Sequence, residues 1–296
     1  MKIGFIGAHL LVRFMRKSNN KLIASYPKSE GMKTAMDIAY GEDKLQKFDV
    51  YYADKKVRKN KVVIDIHGGS YIEGTRKANY PFGTAFLDEG YDFVSFDYRS
   101  ALKRGVTIYG QLRDLTSGLK YLADHAEELG LNADEFYLTG DSAGGHFCFF
   151  LAELQEDKEK QERLRMDLGS FHANKVAVNC PVYDFVRLAQ GGNYTKGLLR
   201  RILGPEFANA DYLADISPKA NIDSLKIPLF VSTCRNDFLK QETFDAVEDL
   251  KGIHKDPTYH YCDAESEEIA HVYNIVLPFS NEGKDCNGAM IAFFKD

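Results

Sequence analysis

The chain has 296 residues, of which 44% are hydrophobic and 27% charged, and a formal net charge of -5. That length suits one large α/β domain or two small ones, with a sizeable core, and the acidic excess argues against nucleic acid as the principal partner. Cys148, Cys180, Cys234, Cys262 and Cys286 include no CxxC pair and lie in mostly apolar runs, so they read as reduced core thiols and point to the cytoplasm.

Residues 1–12 resemble the apolar part of a short signal peptide. Arg13, Arg16 and Lys17 follow at once without a small-x-small cleavage site, and Ile6, Leu10 and Phe14 recur at helical spacing, so an amphipathic helix is expected. Gly4 and Gly7 do not make a GxGxxG nucleotide turn, and no run reaches the ~18 apolar residues of a membrane span, so no membrane contact is expected. The polar stretch 18–33 reads as a connection. Residues 45–52 alternate with period two, as a half-exposed strand does, whereas 62–66 is apolar throughout except for Asp65 and predicts a strand buried on both faces. A second such strand is 93–96. Ile108, Leu112, Leu115, Leu119 and Leu122 then mark a helix with one buried face, ending before Gly130. Strand 135–139 and helix 147–152 continue the alternation, which predicts a parallel sheet with right-handed crossovers.

The mixed-charge stretch 153–167 reads as a solvated helix face. After strand 176–180, residues 184–216 interrupt the rhythm with two short helical patterns broken at Gly204-Pro205, and such an insertion reads as a lid. Strand 228–234, a helix carrying Phe244, Val247 and Leu250, strand 258–262 and a terminal helix at 289–294 complete the chain. With no repeat, low-complexity tract or clear linker, residues 1–296 read as a single domain with cap elements at about 1–33 and 184–216.

Chemistry gathers on the heptapeptide Gly140-Asp141-Ser142-Ala143-Gly144-Gly145-His146, set between an apolar strand and an apolar helix. Small residues at 140 and 144 let a strand turn sharply into a helix, which exposes the Ser142 hydroxyl at the tip. A serine hydroxyl needs a base, an orienting acid and donors for a developing oxyanion. His67-Gly68-Gly69-Ser70 directly follows the buried strand 62–66, and with the Ala143 amide it can form an oxyanion hole. Asp237 lies just after strand 228–234. Its rivals are worse placed, because Asp263 follows the next strand and Asp184 leads into the insertion. Of eight histidines, His254 precedes strand 258–262 and His260 lies inside it, which leaves His271 as the base on a later loop. No ligand-like His/Cys cluster suggests a metal, and no organic cofactor is required.

These residues resemble the α/β-hydrolase fold, and within it the hormone-sensitive-lipase-like carboxylesterases, over roughly residues 45–296. His67-Gly68-Gly69 is similar to that group's HGGG oxyanion motif, Asp97-Tyr98-Arg99 to its DYR element, and Gly140 to Gly145 match its GDSAGG in full. Asp114 on the following helix, Ser217-Pro218, Asp237, and His271 with Tyr273 two places later complete the likeness. Three positions depart from it: Ser70 replaces the third glycine, Ser100-Ala101-Leu102-Lys103 stands where the group has LAPE, and Cys234-Arg235-Asn236 replaces its usual small residues. None of these removes a required chemical group.

The resemblance implies a mostly parallel twisted sheet flanked by helices, with a small helical cap. It implies Ser142 as nucleophile, His271 as general base and then acid, and Asp237 as its orienting partner. The oxyanion hole would comprise Gly68, Gly69, Ser70 and Ala143, with Gly68 shaping the loop and the other three amides donating. Asp97, Arg99 and Asp114 would be structural supports. The activity implied is hydrolysis of small carboxylic esters, with short and possibly acetyl acyl groups, through an acyl-enzyme. Tyr183, Phe185, Tyr194 and Tyr212 are candidates for lining the capped pocket. The same machinery serves an amidase or peptidase, for example of arylformamidase type. A hydrolase-fold binding protein without catalysis is the third reading, against which the intact Ser142, Asp237 and His271 argue.

Overall fold

The computed structural model describes residues 32–296 except 133, 134, 192 and 254, together with Lys17, Asn20, Lys21 and Ala24. The amphipathic helix expected at the N-terminus, and with it the N-terminal cap element, lies outside the described residues apart from those positions, as does His254.

Among the described residues eight strands form one sheet: β1 (Thr34–Ala39), β2 (Lys47–Tyr51), β3 (Val62–Ile66), β4 (Asp92–Phe96), β5 (Phe136–Asp141), β6 (Ala173–Asn179), β7 (Leu229–Cys234) and β8 (Thr258–Cys262). Their spatial order is β1-β2-β4-β3-β5-β6-β7-β8, antiparallel for the first two pairings and parallel for the rest. β3, β4, β5 and β7 are buried along their whole length, which is why they read as continuous apolar runs rather than alternating ones. Successive side chains still point to opposite faces. Ile64 and Ile66 join one core with Leu112, Leu115 and Phe147, while Val63 and Phe93 join a second core with Phe86, Met290 and Phe294.

Ten α-helices are described: α1 (Tyr80–Asp88), α2 (Ile108–Asp124), α3 (Ala143–Leu154), α4 (Lys158–Leu164), α5 (Phe185–Gln190), α6 (Asn193–Leu203), α7 (Ala210–Ile216), α8 (Lys240–Gly252), α9 (Tyr273–Val276) and α10 (Asn281–Lys295). The five apolar positions of α2 are fully buried, each contributing about 1.5–3 kcal/mol before the entropy of ordering is subtracted. The α/β-hydrolase architecture expected from the sequence is therefore present.

The elements β1, α1 and the short α9 were not expected. β1 carries a register shift between Ala35 and Ile38, with Asp37 at φ 57°, and this bulge breaks the period-two pattern. α1 is apolar around most of its circumference because it is buried, so it lacks a one-sided stripe. α10 starts well before residue 289, capped by Ser280, whose hydroxyl accepts from Gly283 N at 2.9 Å.

The reading of 153–167 as a solvated face is corrected by a buried ion pair. Glu153 and Lys160 are both buried and meet at 2.5 Å, and Lys160 Nζ also donates to Asp215 O at 3.1 Å, tying α4 to α7. Burial pushes the Glu153 carboxyl up to about 7, with Lys160 opposing that shift. A mixed-charge run of this kind can hide one internal pair among exposed ones. Among the described residues no helix is long and apolar enough to cross a membrane. Lys160→Met should lower stability by roughly 3–5 kcal/mol because it strands a buried carboxylate, whereas Glu153→Leu with Lys160→Met should recover most of the loss. Urea unfolding of the three proteins checks this, and a single variant as stable as the wild type contradicts it.

Candidate active site

Ser142 joins β5 to α3 at φ 53° and ψ -115°, a conformation that costs a non-glycine residue about 1–3 kcal/mol. The surrounding contacts enforce it. Ser142 N donates to Asn179 O at the end of β6 (2.9 Å), and Ser142 O accepts from His146 N (3.1 Å) and Val182 N (3.3 Å). A Cβ on Gly144 would stand 1.9 Å from Ile66 O, so glycine here lets the first turn of α3 abut the end of β3. The loop that leaves β3 at that point is His67-Gly68-Gly69-Ser70. Elbow and loop are thus neighbours through backbone contact.

The loop turns through three consecutive positive φ angles, at Gly69 (117°), Ser70 (54°) and Tyr71 (66°). Gly69 O closes it by accepting from Ile72 N (3.1 Å) and Glu73 N (3.0 Å), and a Cβ at Gly69 would stand 1.7 Å from Glu73 O. Gly68 N donates to Asp141 Oδ1 at 3.0 Å, so this amide is spent on shaping the loop. Among the described residues the amides of Gly69, Ser70 and Ala143 have no hydrogen-bond partner. Ala143 N also stands at the N-terminus of α3, where the helix dipole favours negative charge. His67 stacks on Tyr98 (ring centroids 4.4 Å apart), and Tyr98 Oη donates to His67 O at 2.7 Å.

Beneath the loop lies a cluster that motif reading missed. Asn79 Nδ2 donates to both Asp141 Oδ1 (3.0 Å) and Asp65 Oδ1 (3.1 Å), and Ser95 Oγ donates to Asp65 Oδ2 (2.9 Å). Burial raises the pKa of both carboxyls, Asp65 to about 7, with the Asp141 charge adding to the rise at Asp65. Asp65 as the lone acid in an apolar strand was the available signal, since such a group must be held by partners.

Asp237 follows β7 and is buried. His271 Nδ1 lies 2.6 Å from its Oδ1, while Leu239 N (2.9 Å) and Thr233 Oγ1 (2.7 Å) also donate to the carboxylate. Burial pushes the Asp237 carboxyl up, but the His271 interaction and the other donors outweigh it and leave the pKa below its ordinary value. The His271 side chain is 18% exposed, so one edge of the ring remains accessible, and the exposed Phe238 ring sits 4.2 Å from it.

His271 is carried to the elbow by a chain of contacts. Val272 N donates to Cys180 Sγ at 3.3 Å, and Asn274 Nδ2 to Asn179 Oδ1 at 2.9 Å. Asn179 and Cys180 are the residues that end β6 beside Ser142. Residues 142, 237 and 271, following β5, β7 and β8, therefore lie on the side of the sheet reached by the C-terminal ends of its parallel strands, the place where parallel sheets present their sites. The fold also sets the Cys180 thiol beside the acid and imidazole: one ligand atom from each of Cys180, Asp237 and His271 lies within 4.8 Å of the others. No local spacing in the sequence reveals this donor cluster.

The rival residues are accounted for elsewhere. Asp263 pairs with Arg235 at 2.8 Å, Asp184 caps α5 by accepting from Arg187 N at 2.9 Å, and His260 lies within β8, 3.8 Å from Asp285. Asp97 is bound by the buried Arg76, and Arg99 pairs with Asp114 at 2.6 Å, both acting as supports. Of the aromatic candidates, Phe185 packs 4.8 Å from His146 and 6.1 Å from Tyr71, next to the elbow and the loop. Tyr183 Oη is tied to Asp249 (2.9 Å), Tyr212 packs on Tyr109 (4.8 Å), and the Tyr194 side chain lies outside the described residues.

Comparison with known proteins places this geometry in context. The BD-FAE family model matches residues 48–241. The chain is 28% identical over 225 residues to the probable carboxylic ester hydrolase LipM of Mycobacterium tuberculosis, covering 73% of this chain and 50% of that protein. It is 24% identical over 182 residues to a probable isoprenylcysteine alpha-carbonyl methylesterase of Arabidopsis thaliana, covering 62% and 38% respectively. The chain thus spans about half or less of the length of these relatives. Among solved structures, esterase B from Lactobacillus rhamnosis superposes with a TM-score of 0.87 at 22% identity, covering 98% of this chain and 93% of that one. The thermophilic carboxylesterase EstE1 from a metagenomic library superposes with a TM-score of 0.74 at 20% identity, covering 97% of each. With its matched segment holding both the His67–Ser70 loop and the Ser142 elbow, the chain belongs to the BD-FAE family and has the α/β-hydrolase fold.

Proposed function

We propose that the chain is a serine hydrolase that cleaves small carboxylic esters through an acyl-enzyme. The observation that carries this reading is the 2.6 Å contact between His271 Nδ1 and the buried Asp237, delivered to the strand edge where the Ser142 elbow stands. Asp237 fixes the Nδ1–H tautomer, which leaves Nε2 as a base toward the serine hydroxyl. Ser142 Oγ attacks the ester carbonyl as His271 takes its proton. The developing oxyanion is received by the amides of Gly69, Ser70 and Ala143, whose loop is shaped by Gly68. His271 then protonates the leaving alcohol, and water repeats the sequence to release the acid. None of these steps calls for a metal or organic cofactor. The partner is a small ester molecule, neither nucleic acid nor membrane.

Residues 184–216 act as the cap of a single domain in this reading. Arg187 anchors them on Glu242 and Asp245 of α8, and the fully buried Phe185 packs them against the elbow and loop. The five cysteines are free, which supports a reducing compartment such as the cytoplasm.

Ser142→Ala should lower turnover of a short acyl nitrophenyl ester by several orders of magnitude with unchanged circular dichroism, and His271→Ala should do comparable damage while His260→Ala stays mild. Near-normal activity of the serine variant, or an equal loss at His260, contradicts the assignment. Across a series of nitrophenyl esters, kcat/KM should fall as the acyl chain lengthens beyond a few carbons, and formyl-anilide and aminoacyl-anilide substrates should turn over more slowly than the short esters. Faster cleavage of the anilides would make the chain an amidase instead.

A further inference from the structure

The proposed catalytic sequence leaves one soft donor atom beside the site unused, the sulfur of Cys180. Its sulfur, a carboxylate oxygen of Asp237 and a ring nitrogen of His271 lie within 4.8 Å of one another and come from the ends of β6 and β7 and the loop after β8. Thiolate, carboxylate and imidazole are together a zinc-type donor set, and a tetrahedral Zn2+ with ordinary bond lengths holds its ligands roughly 3.5 Å apart. Side-chain shifts of about 1 Å would therefore close the three around one ion, with water or an anion as fourth ligand. Cys180 and Asp237 are buried and His271 is partly exposed, so the imidazole is the member of the set that meets solvent.

We propose that Cys180, Asp237 and His271 form an inhibitory binding site for a thiophilic divalent cation such as Zn2+ or Cd2+. The ion enters where His271 Nδ1 donates to Asp237, and it also displaces the thiol proton of Cys180. The Nδ1 proton moves through solvent to Nε2, so one net proton, that of the thiol, leaves to solvent and no electron is transferred. The imidazole, with the metal on Nδ1 and its proton on Nε2, can no longer accept the proton of Ser142. The inhibited state is thus a tautomer trap, reversible when a chelator removes the ion. The inhibition rests on the serine-hydrolase reading, whereas the binding does not.

Cd2+ tests both parts. Titration of the full chain should develop the ultraviolet thiolate-to-Cd2+ charge-transfer band to a stoichiometry of one ion per chain, in step with loss of ester turnover, and a chelator should reverse both. In Cys180→Ser and in Cys180→Ala the band should vanish, and the inhibiting Cd2+ concentration should rise by about tenfold or more, each variant being compared with its own metal-free rate. Two variants guard against one of them failing to fold. Ser142→Ala should bind Cd2+ with the same band and stoichiometry although it lacks activity, so a failure of the hydrolase reading is separated from a failure of the metal site. Absence of the band in wild type, its persistence in both Cys180 variants, or unchanged inhibition in them overturns the proposal.

Discussion

Asp141 holds the elbow to the glycine loop after β3, and the rest of the site depends on that bond. Its carboxylate, one residue before Ser142, takes the amide of Gly68 and the side chain of Asn79, while Gly144 brings the first turn of α3 against Ile66 O. Strand β5 and the loop after β3 therefore cannot move independently. The arrangement costs free energy at several points: a strained φ at Ser142, positive φ at Ser70 and Tyr71, and two buried carboxyls within reach of one amide. It persists because the carboxyls of Asp65 and Asp141 are both hydrogen-bonded and the flanking strands are buried in both cores.

The second half of the site is held from the other side by β6. Asn179 takes the Ser142 amide through its backbone and Asn274 through its side chain, and Ser232 Oγ donates to the same Asn179 Oδ1 at 2.8 Å. A single asparagine thus couples the Ser142 backbone to the short helix that follows His271. Asn287 extends the network by accepting from Asn274 at 3.1 Å, which fastens α9 to α10. Preorganisation of this kind fixes Ser142 and His271 in advance, which is what the proposed oxyanion chemistry requires.

Much of this was legible in the residues. The buried strands 62–66 and 93–96 and the stripe of α2 follow from apolar continuity and period, and elimination among the histidines pointed to His271, which the fold seats on Asp237. What escaped reading had physical reasons. β1 is bent by a bulge at Asp37, and α1 is apolar around most of its circumference, so neither shows a clean period. Lys160 looks like any surface lysine until its partners on α3 and α7 are known. Asn79, Asn179, Asn274 and Cys180 carry no motif, because their roles arise from contacts between elements distant in sequence.

The central claim is that loop, elbow and imidazole converge on one reacting carbon. A crystal structure of the chain inactivated by a short-chain alkyl phosphonate tests it most directly, since the tetrahedral phosphorus stands in for that carbon. The account predicts a bond from phosphorus to Ser142 Oγ, with one phosphonyl oxygen within about 3 Å of the Gly69, Ser70 and Ala143 amides and His271 Nε2 facing Oγ. Phosphorus on another residue, or an oxygen pointing away from those amides with the imidazole turned aside, would contradict it.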